Sequence, residues 1–562
     1  MQDRISNYIK QALGLEKLPA VEIPTAGGHG HYSTNVAMQM AKGASRAPLE
    51  LANELVDKLV EADSDKMFSK IETAGPGFIN FWLSKEFLLK EFEKLAKAGE
   101  LVGSNIGKRE RVIIDYSQPN IAKRMHVGHL RSTIIGDALA NIYDYLGYRT
   151  VRWNYYGDWG TQFGKLIAAY KMWGSEEDVK NAPIETLLNL YVRFHNEMRS
   201  DPTLEDAGRS EFKKLEEGDR ENRWLWKWFK QESLVEFERI YKRLGIKFDV
   251  EFGEAYYEGQ LGRLLRELGK KGFLTKSDGA VVIDLGEGTP PALMQKSDGA
   301  TLYMTRDVAS LAHRLKKYKP AKILYVVSNE QTFHFSQLFK VAERLGMNKA
   351  ELVHVKFGLV LDEGKKLSTR SGGAVRLEEL MNKSVEMAYK IVNEKNSDLA
   401  EEEKKRVAEM VGVGALKYND LKENRNSDIV FNWDKMLDLR GDTAPYLQYT
   451  AVRLANIIRK AGGALRTTHY ALLTEQIELD VIKKLLDFND AVVTAVEQYM
   501  TGYLAKYLYE LASLANQYYE KVRILEDGDE ERKNARLVLV GQVIKTLEKG
   551  LGLLGIQVPE RI

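Results

Sequence analysis

At 562 residues the chain is long enough for roughly three or four domains, and 44% hydrophobic against 29% charged residues is the balance of a soluble globular protein. The absence of cysteine excludes disulfides and thiolate zinc sites, and nine scattered histidines argue against an all-histidine metal cage; no zinc is expected, and any metal should arrive with a nucleotide as Mg²⁺. A formal charge of +2 gives no global signature of nucleic-acid binding, so an RNA partner would have to be held by local patches.

The chain opens on Met1-Gln2-Asp3-Arg4, without the apolar segment of a secretory leader, and no run of about eighteen apolar residues follows, so a cytoplasmic protein without membrane contact is expected. Residues 1–105 read as a small α+β domain. Leu51, Leu55 and Leu59, spaced by four, mark one face of a helix, and residues 71–83 form a β-rich run broken by Gly75-Pro76-Gly77.

Next, the apolar run Val112-Ile113-Ile114 leads into His126-Val127-Gly128-His129, followed at once by a helical pattern. A helix N-terminus carries unpaired N–H groups and the positive end of the dipole, so phosphates settle there with the two imidazoles beside them. Gly128 leaves room for a nucleotide against the backbone. Taken alone, these four residues also read as two histidines in a surface turn. Their flanks carry more: Asp115-Tyr116-Ser117-Gln118-Pro119-Asn120-Ile121-Ala122-Lys123 and His129-Leu130-Arg131-Ser132-Thr133 resemble the ATP-binding signature of class I aminoacyl-tRNA synthetases, specifically that of the arginyl-tRNA synthetase family. Tyr32-Ser33-Thr34-Asn35-Val36-Ala37 and Ala74-Gly75-Pro76-Gly77-Phe78-Ile79-Asn80 resemble that family's N-terminal extension, which grips the outer corner of the tRNA; Asn80 is the contact this implies.

From 106 to 381, apolar strands at 112–116, 150–155, 280–285, 322–328 and 352–361 alternate with helices, which predicts a Rossmann-like, doubly wound parallel sheet with ligands outside its C-terminal strand ends. Residues 165–279, helical and highly charged around Trp224-Leu225-Trp226-Lys227-Trp228-Phe229, read as an insertion between the halves of the sheet. A guanidinium is planar and always charged, and calls for carboxylates with neutral acceptors. Thr301-Leu302-Tyr303-Met304-Thr305-Arg306-Asp307 is similar to the family's arginine-binding segment, and on a helix Tyr303 and Asp307 share a face. The resemblance implies that Asp307 pairs with the guanidinium, supported by Tyr303 and by Asp115, whose shorter arm than the glutamate of some relatives calls for a bridging water. It also implies that Asn120, and Gln337 within His334-Phe335-Ser336-Gln337, hold the α-amino and carboxylate end. Viewed singly, Tyr303 reads as core and Asp307 as a helix cap.

Gly364-Lys365-Lys366-Leu367-Ser368-Thr369-Arg370-Ser371-Gly372-Gly373 looks like the mobile second signature loop of the class, in the degenerate form found in the arginine enzymes. Lys365, Lys366, Ser368 and Arg370 are expected over the triphosphate, with the glycines letting the loop move. Thr369 stands where the class usually has its second lysine. The resemblance assigns the missing phosphate contact to Lys123, which otherwise reads as an exposed loop lysine.

Residues 382–440 read as a helical connecting region, which the resemblance places against the acceptor stem, and 441–562 as an all-helical bundle whose first helix is bracketed by Pro445 and Gly462-Gly463. Phe431-Asn432-Trp433-Asp434 and residues 445–453 look like the entry to the family's anticodon-binding bundle. Tyr446, Tyr449 and Arg453 share a face suited to stacking bases and touching phosphates, with bundle core as the competing reading of the tyrosines. Tyr518, Tyr519 and Arg523 form a weaker set, and residues 550–562 are expected to pack back into the bundle. The activity implied is ATP-dependent ligation of L-arginine to tRNA(Arg) through an arginyl-adenylate, by a monomer that binds tRNA before activating arginine. Two alternatives remain: a non-catalytic tRNA-binding paralogue, and a nucleotidyltransferase of related fold activating another carboxylic acid, which needs neither the C-terminal helices nor the N-terminal extension.

Overall fold

The computed structural model describes every residue except 25–27, 45, 99–100, 102, 363–364, 367–374, 397 and 464–468, with the backbone alone for 43–44, 362 and 365–366. The chain divides into two units, Met1–Gly103 with Leu439–Gly552 and Gln557–Ile562, and Ser104–Asp438 with Leu553–Ile556.

In the first unit, α1 (Gln2–Leu13), β1 (Tyr32–Thr34), α2 (Val36–Ala44), α3 (Pro48–Ala62), β2 (Phe68–Ala74), β3 (Phe78–Leu83) and α4 (Lys85–Lys97) build an α+β layer on an antiparallel sheet of order β1-β3-β2. Pro48 starts α3, and Leu51, Leu55 and Leu59 are buried as their spacing predicts. Ser84 caps α4 by accepting from the Phe87 amide.

The second unit is built on β4 (Arg111–Asp115). Val112, Ile113 and Ile114 are all fully buried, because a central strand of a parallel sheet is covered on both faces. After it come α5 (Val127–Tyr145), β5 (Arg149–Asn154), the helices α6 (Thr161–Trp173), α7 (Glu176–Asn181), α8 (Pro183–Glu197), α9 (Thr203–Glu217) and α10 (Arg220–Leu244), then β6 (Val250–Glu251) and α11 (Glu258–Lys270). β7 (Thr275–Ser277), β8 (Ala280–Ile283) and β9 (Ala292–Gln295) precede α12 (Tyr303–Tyr318), β10 (Lys322–Tyr325), α13 (Thr332–Arg344) and β11 (Glu351–His354). The five strands β11-β10-β4-β5-β6 pair in parallel. Their winding reverses between β4 and β10, so the ligand crevice of such a sheet opens at the C-terminal ends of these two strands. Ile113, Trp153, Met294, Val308, Leu311, Ile323, Leu338 and Val341 fill the core that seats α12 and α13.

Two strand expectations need correction. Residues 280–285 do not join the parallel sheet; β8 is the middle strand of a separate antiparallel sheet, β7-β8-β9. Residues 352–361 divide between β11 and β12 (Val360–Asp362), which lies between β13 (Lys365–Lys366) and β14 (Ile429–Val430) in a third small sheet. A short apolar run does not disclose its partner. The unit is completed by α14 (Leu377–Lys395), α15 (Glu401–Leu421) and α16 (Trp433–Met436).

The rest of the first unit is helical: α17 (Ala444–Lys460), α18 (Gln476–Leu486), α19 (Phe488–Glu497), α20 (Gly502–Lys521) and α21 (Glu530–Leu553). Tyr32 donates its hydroxyl to Asp487 at the α18–α19 junction, and both groups are buried, so the α+β layer and the bundle share an internal contact. The expected return of residues 550–562 to the bundle is only partly right. Leu553–Ile556 belong with the second unit, where buried Lys417 needs acceptors and donates to the carbonyls of Gly555 (2.6 Å) and Leu244 (2.5 Å). Gln557–Ile562 return to the first unit, with the Gln557 carbonyl 2.6 Å from Gln448 Nε2. No described helix is long and apolar enough to cross a membrane.

Candidate active site

His126 is the N-cap of α5. Its Nδ1 accepts from the Gly128 amide at 3.1 Å, and His129 Nδ1 accepts from the His126 amide at 3.1 Å, a reciprocal capping box made of two imidazoles. With both Nδ1 atoms accepting, each neutral ring carries its proton on Nε2. Burial makes both rings hard to protonate, with Lys123 adding to the effect on each, and His129 is pushed down to about 3. At neutral pH the pair is therefore two Nε2–H donors 4.0 Å apart between ring centroids, not two cations.

The expectation that backbone N–H groups of this turn receive a phosphate is corrected. The Val127 amide is held by the Val375 carbonyl (3.1 Å), the Gly128 amide by His126 Nδ1, and the His129 amide by the His126 carbonyl (2.9 Å). Gly128 also answers a need inside the protein, since a Cβ there would lie 2.9 Å from His126 Cε1. In the loop before the helix, Ser117, Gln118 and Ala122 adopt φ of 74°, 52° and 60°, which costs energy in non-glycine residues and gathers at functional sites. Ser132 Oγ helps hold it by accepting from the Ser117 amide (2.9 Å) while donating to the Val326 carbonyl (2.6 Å). Lys123, half-buried, stands 5.5 Å from the Tyr191 ring centroid, and its charge reaches both imidazoles.

Arg131, fully buried on α5, pairs with Asp420 on α15 at 3.0 Å and donates to the Ser427 carbonyl at 3.0 Å. The turn around Ser427 in turn holds the chain entering β12, through the Gly358 amide to the Arg425 carbonyl (2.9 Å) and the Leu359 amide to Asp428 Oδ1 (2.7 Å). Arg131 thus ties the first signature to the strand that leads to the second. Of the second signature, β13 pairs with β12. The side chains of Lys365 and Lys366, and all of Ser368 and Arg370, lie outside the described residues.

At the switch point Asp115 ends β4 and Tyr325 ends β10, in register. Asp115 is already engaged by the protein's own guanidinium: Arg314 Nη2 lies 2.6 Å from Oδ2, and Gln118 Nε2 lies 2.8 Å from Oδ1. Tyr303 opens α12 and is exposed; Asp307 follows on the same face and accepts from His334 Nε2 at 2.6 Å. The charge of Asp307 is felt by Asp115, Tyr155, Tyr325 and Glu254. Burial, reinforced by Asp307, Asp158 and Glu258 against the pull of Arg306, pushes the Glu254 carboxyl up to about 8. Glu254 Oε2 and the Tyr155 hydroxyl are buried without a hydrogen-bond partner among the described residues, so this acidic cradle holds polar atoms still to be satisfied. Glu254 and Arg314 are members of the cradle that motif and pattern in the sequence did not single out. Arg314 could have been found eleven residues after Tyr303 on the Tyr303–Asp307 face; Glu254 follows a two-residue strand too short for any periodic signal. Asn120 is exposed and its amide oxygen crowds Gly157, while Gln337 donates to the Pro290 carbonyl (2.9 Å); neither is hydrogen-bonded to Asp307.

On α17, Tyr449 is exposed, and the Arg453 guanidinium lies 4.3 Å from the Tyr519 ring centroid, giving a surface of alternating rings and charge. Tyr446 is half-buried, its hydroxyl accepting from Asn516 Nδ2 at 2.9 Å, so the core reading holds in part for it. Tyr518 is core; of the weaker pair of tyrosines only Tyr519 reaches the surface. Asn80, nearly buried on β3, lines a cavity of about 420 Å³ with Phe78, His29, Asn35 and Glu22.

Against known families, residues 92–433 match the class I (R) tRNA synthetase catalytic domain, 447–562 the DALR anticodon binding domain, and 1–83 the arginyl tRNA synthetase N terminal domain. The chain is 44% identical to the arginine–tRNA ligase of Enterococcus faecalis, covering 99% of this chain and 98% of the relative, and 41% identical to that of Halothermothrix orenii, covering 100% and 98%. Among solved structures it is similar to the arginyl-tRNA synthetases of Thermus thermophilus (TM-score 0.87, 25% identity, 100% of both chains) and Plasmodium falciparum (TM-score 0.84, 27% identity, 100% of this chain and 99% of the other). A nucleotidyltransferase of merely related fold would match the central segment alone; with all three segments matched at this identity, the chain belongs to the arginyl-tRNA synthetase family of class I.

Proposed function

We infer that the chain joins L-arginine to its tRNA at the expense of ATP, through an arginyl-adenylate. The observation that carries the reading is a shared neighbour: Lys123, whose charge reaches both imidazoles, lies against the Tyr191 ring, and Tyr303, on the same helix face as Asp307, acts on the Tyr191 hydroxyl. In the first step the arginine carboxylate attacks the α-phosphorus and pyrophosphate leaves; no side-chain nucleophile is needed, only positioning and relief of developing charge. His126 and His129 donate their Nε2–H groups to phosphate oxygens, with Gly128 keeping the His126 ring in place. Lys123 supplies the charge that Thr369 lacks, and Lys365, Lys366, Ser368 and Arg370 close over the triphosphate. Lys123 and the imidazoles offer no carboxylate to a metal, so Mg²⁺ enters as part of the nucleotide substrate. In the second step the 2′-hydroxyl of the terminal tRNA ribose attacks the adenylate carbonyl and AMP leaves.

Asp307 pairs with the substrate guanidinium under Tyr303, Glu254 completes the acidic side, and Asp115 contributes through Arg314 instead of by direct contact. Asn120 and the free amide oxygen of Gln337 orient the α-amino and carboxylate end. Asn80 and its cavity within residues 1–105 meet the outer corner of the tRNA, residues 382–440 meet the acceptor stem, and Tyr446, Tyr449 and Arg453 in 441–562 meet the anticodon loop. A cytoplasmic monomer is the form proposed, and the family further suggests that arginine is activated only with tRNA bound.

ATP–pyrophosphate exchange with each amino acid, with and without total tRNA, tests this. Exchange with arginine that appears only with tRNA supports it. Exchange without RNA on another acid favours the nucleotidyltransferase of related fold, and no exchange under any condition favours a tRNA-binding paralogue.

A further inference from the structure

We propose that His334 is a resident cation of the arginine pocket, occupying Asp307 while the pocket is empty and surrendering its proton when a substrate guanidinium takes that carboxylate. The inference rests on Asp307 being the guanidinium partner. His334 Nε2 lies 2.6 Å from Asp307 Oδ2, the length of a charge-assisted bond, and the two side chains keep 26% and 23% of their surface exposed, so a ligand can reach the pair. His334 stands in the first turn of α13, where the helix dipole disfavours a cation, so the carboxylate opposite is what holds the proton there.

The surroundings leave Asp307 as the decisive neighbour. From α12 comes Asp307, with Arg314 beyond it already paired to Asp115; from the ends of β4 and β10 come Asp115 and Tyr325. β11 offers His354, stacked on Phe335, and the turn before α13 offers Glu330, while β9 presents no ionisable side chain. On its own helix the next cation is Lys340, exposed and turned to Thr289. Against the effect of burial, the hydrogen bond and charge of Asp307 raise the imidazole's proton affinity, so His334 holds its proton to higher pH than a free imidazole does.

A guanidinium cannot lose its proton, whereas an imidazolium can. When arginine seats against Asp307, one carboxylate faces two cations in a half-buried site, and the titratable one yields. The ion pair of imidazolium and carboxylate, together with the incoming guanidinium, becomes a neutral imidazole, a pair of guanidinium and carboxylate, and one proton released to solvent. Charge balances, and arginine binding becomes linked to proton release. Affinity for arginine therefore rises with pH through the titration of His334, by up to about tenfold per pH unit. A neutral isostere such as citrulline lacks the charge that drives the exchange.

The test is calorimetric titration of the full-length protein with L-arginine from about pH 6 to 8, in buffers of different ionisation enthalpy. The wild type should release a fraction of a proton approaching one at the acid end, where His334 is the titrating group. H334Q keeps an N–H donor at similar reach and should lose the release at the acid end, where Glu254, pushed up to about 8, stays protonated with or without arginine; H334N serves if H334Q fails to fold. Absence of proton release in the wild type, or unchanged release in either variant, overturns the proposal. D307N separates the two readings: wild-type arginine affinity in D307N would remove Asp307 from the pocket, whereas weak binding in D307N beside a wild type that releases no proton sinks only the role of His334.

Discussion

Asp307→Asn removes one charge and almost no volume, so it isolates what the carboxylate does. A hydrogen bond to a charged group is worth about 1.5–3 kcal/mol, or roughly 10- to 150-fold in a binding ratio. Two features of the cradle decide how much of that loss is recovered. Asp115 cannot substitute, because Arg314 and Gln118 already engage both its oxygens. Glu254, pushed up to about 8, is mostly protonated at neutral pH and offers no second negative charge. The loss should therefore lie well inside that range, at about 30-fold in kcat/KM for arginine at pH 7, with the KM for ATP changed by less than about twofold. Pyrophosphate exchange in the presence of tRNA, with arginine and ATP varied separately at about pH 7, measures both losses. Equal losses on the two substrates would refute the assignment.

Gly128→Ala places a Cβ 2.9 Å from His126 Cε1 and should turn that ring away, lowering the kcat of activation at least about tenfold while urea unfolding shifts by only about 1 kcal/mol, the value of a cap. His129 keeps its proton off down to about pH 3 in the folded state, against an ordinary value near 6.5, so the unfolded chain takes up the proton first as pH falls. The resulting loss of stability from pH 7 to pH 5 is about 2 kcal/mol, and His129→Gln should remove that part of the slope in urea titrations at the two pH values. Arg131→Met strands Asp420, whose carboxyl burial pushes up to about 6; unfolding should show a cost of about 3 kcal/mol at pH 8 and a smaller one at pH 5, where Asp420 is neutral. An equal cost at both would mean that no stranded charge is responsible. Tyr449→Ala should raise the KM for tRNA about tenfold, the worth of one stacked base, and leave the KM for ATP unchanged.

Long periodic patterns are legible in the residues themselves. Leu51, Leu55 and Leu59 face inward on α3, and Tyr303 and Asp307 share a face because residues 303–318 are helical. Partnership is not legible in this way. The same apolar alternation serves β8 in an antiparallel sheet and β10 in a parallel one, and a two-residue strand such as β6 carries no period at all. Sequence names carboxylates without saying which already have a cation; Asp115 reads as free along the chain, yet Arg314, 199 positions away, lies against it. The closing residues show the same limit, since their glycines and leucines suit the bundle as well as the buried ammonium of Lys417 that draws Gly555 to the second unit.

The neutrality of the two imidazoles suits the substrate proposed for the other end of the crevice. An enzyme that activates a neutral amino acid loses little if its phosphate-binding histidines are cationic. Here the amino acid brings a permanent positive charge, and two imidazolium rings beside the same nucleotide would repel it across a half-buried crevice. Reciprocal capping uses both Nδ1 atoms as acceptors, and burial keeps a second proton off each ring, so α5 offers phosphate two donors without offering arginine two like charges. On the function proposed above, the positive charge needed as pyrophosphate departs then falls to Lys123 and the second signature. Cationic groups that close over the nucleotide late stabilise the transition state more than the ground state, which is the only kind of binding that speeds the chemical step. A substitution that restores proton uptake at position 126 or 129 should accordingly weaken arginine binding before it weakens ATP binding, an order that titration of each ligand alone can check.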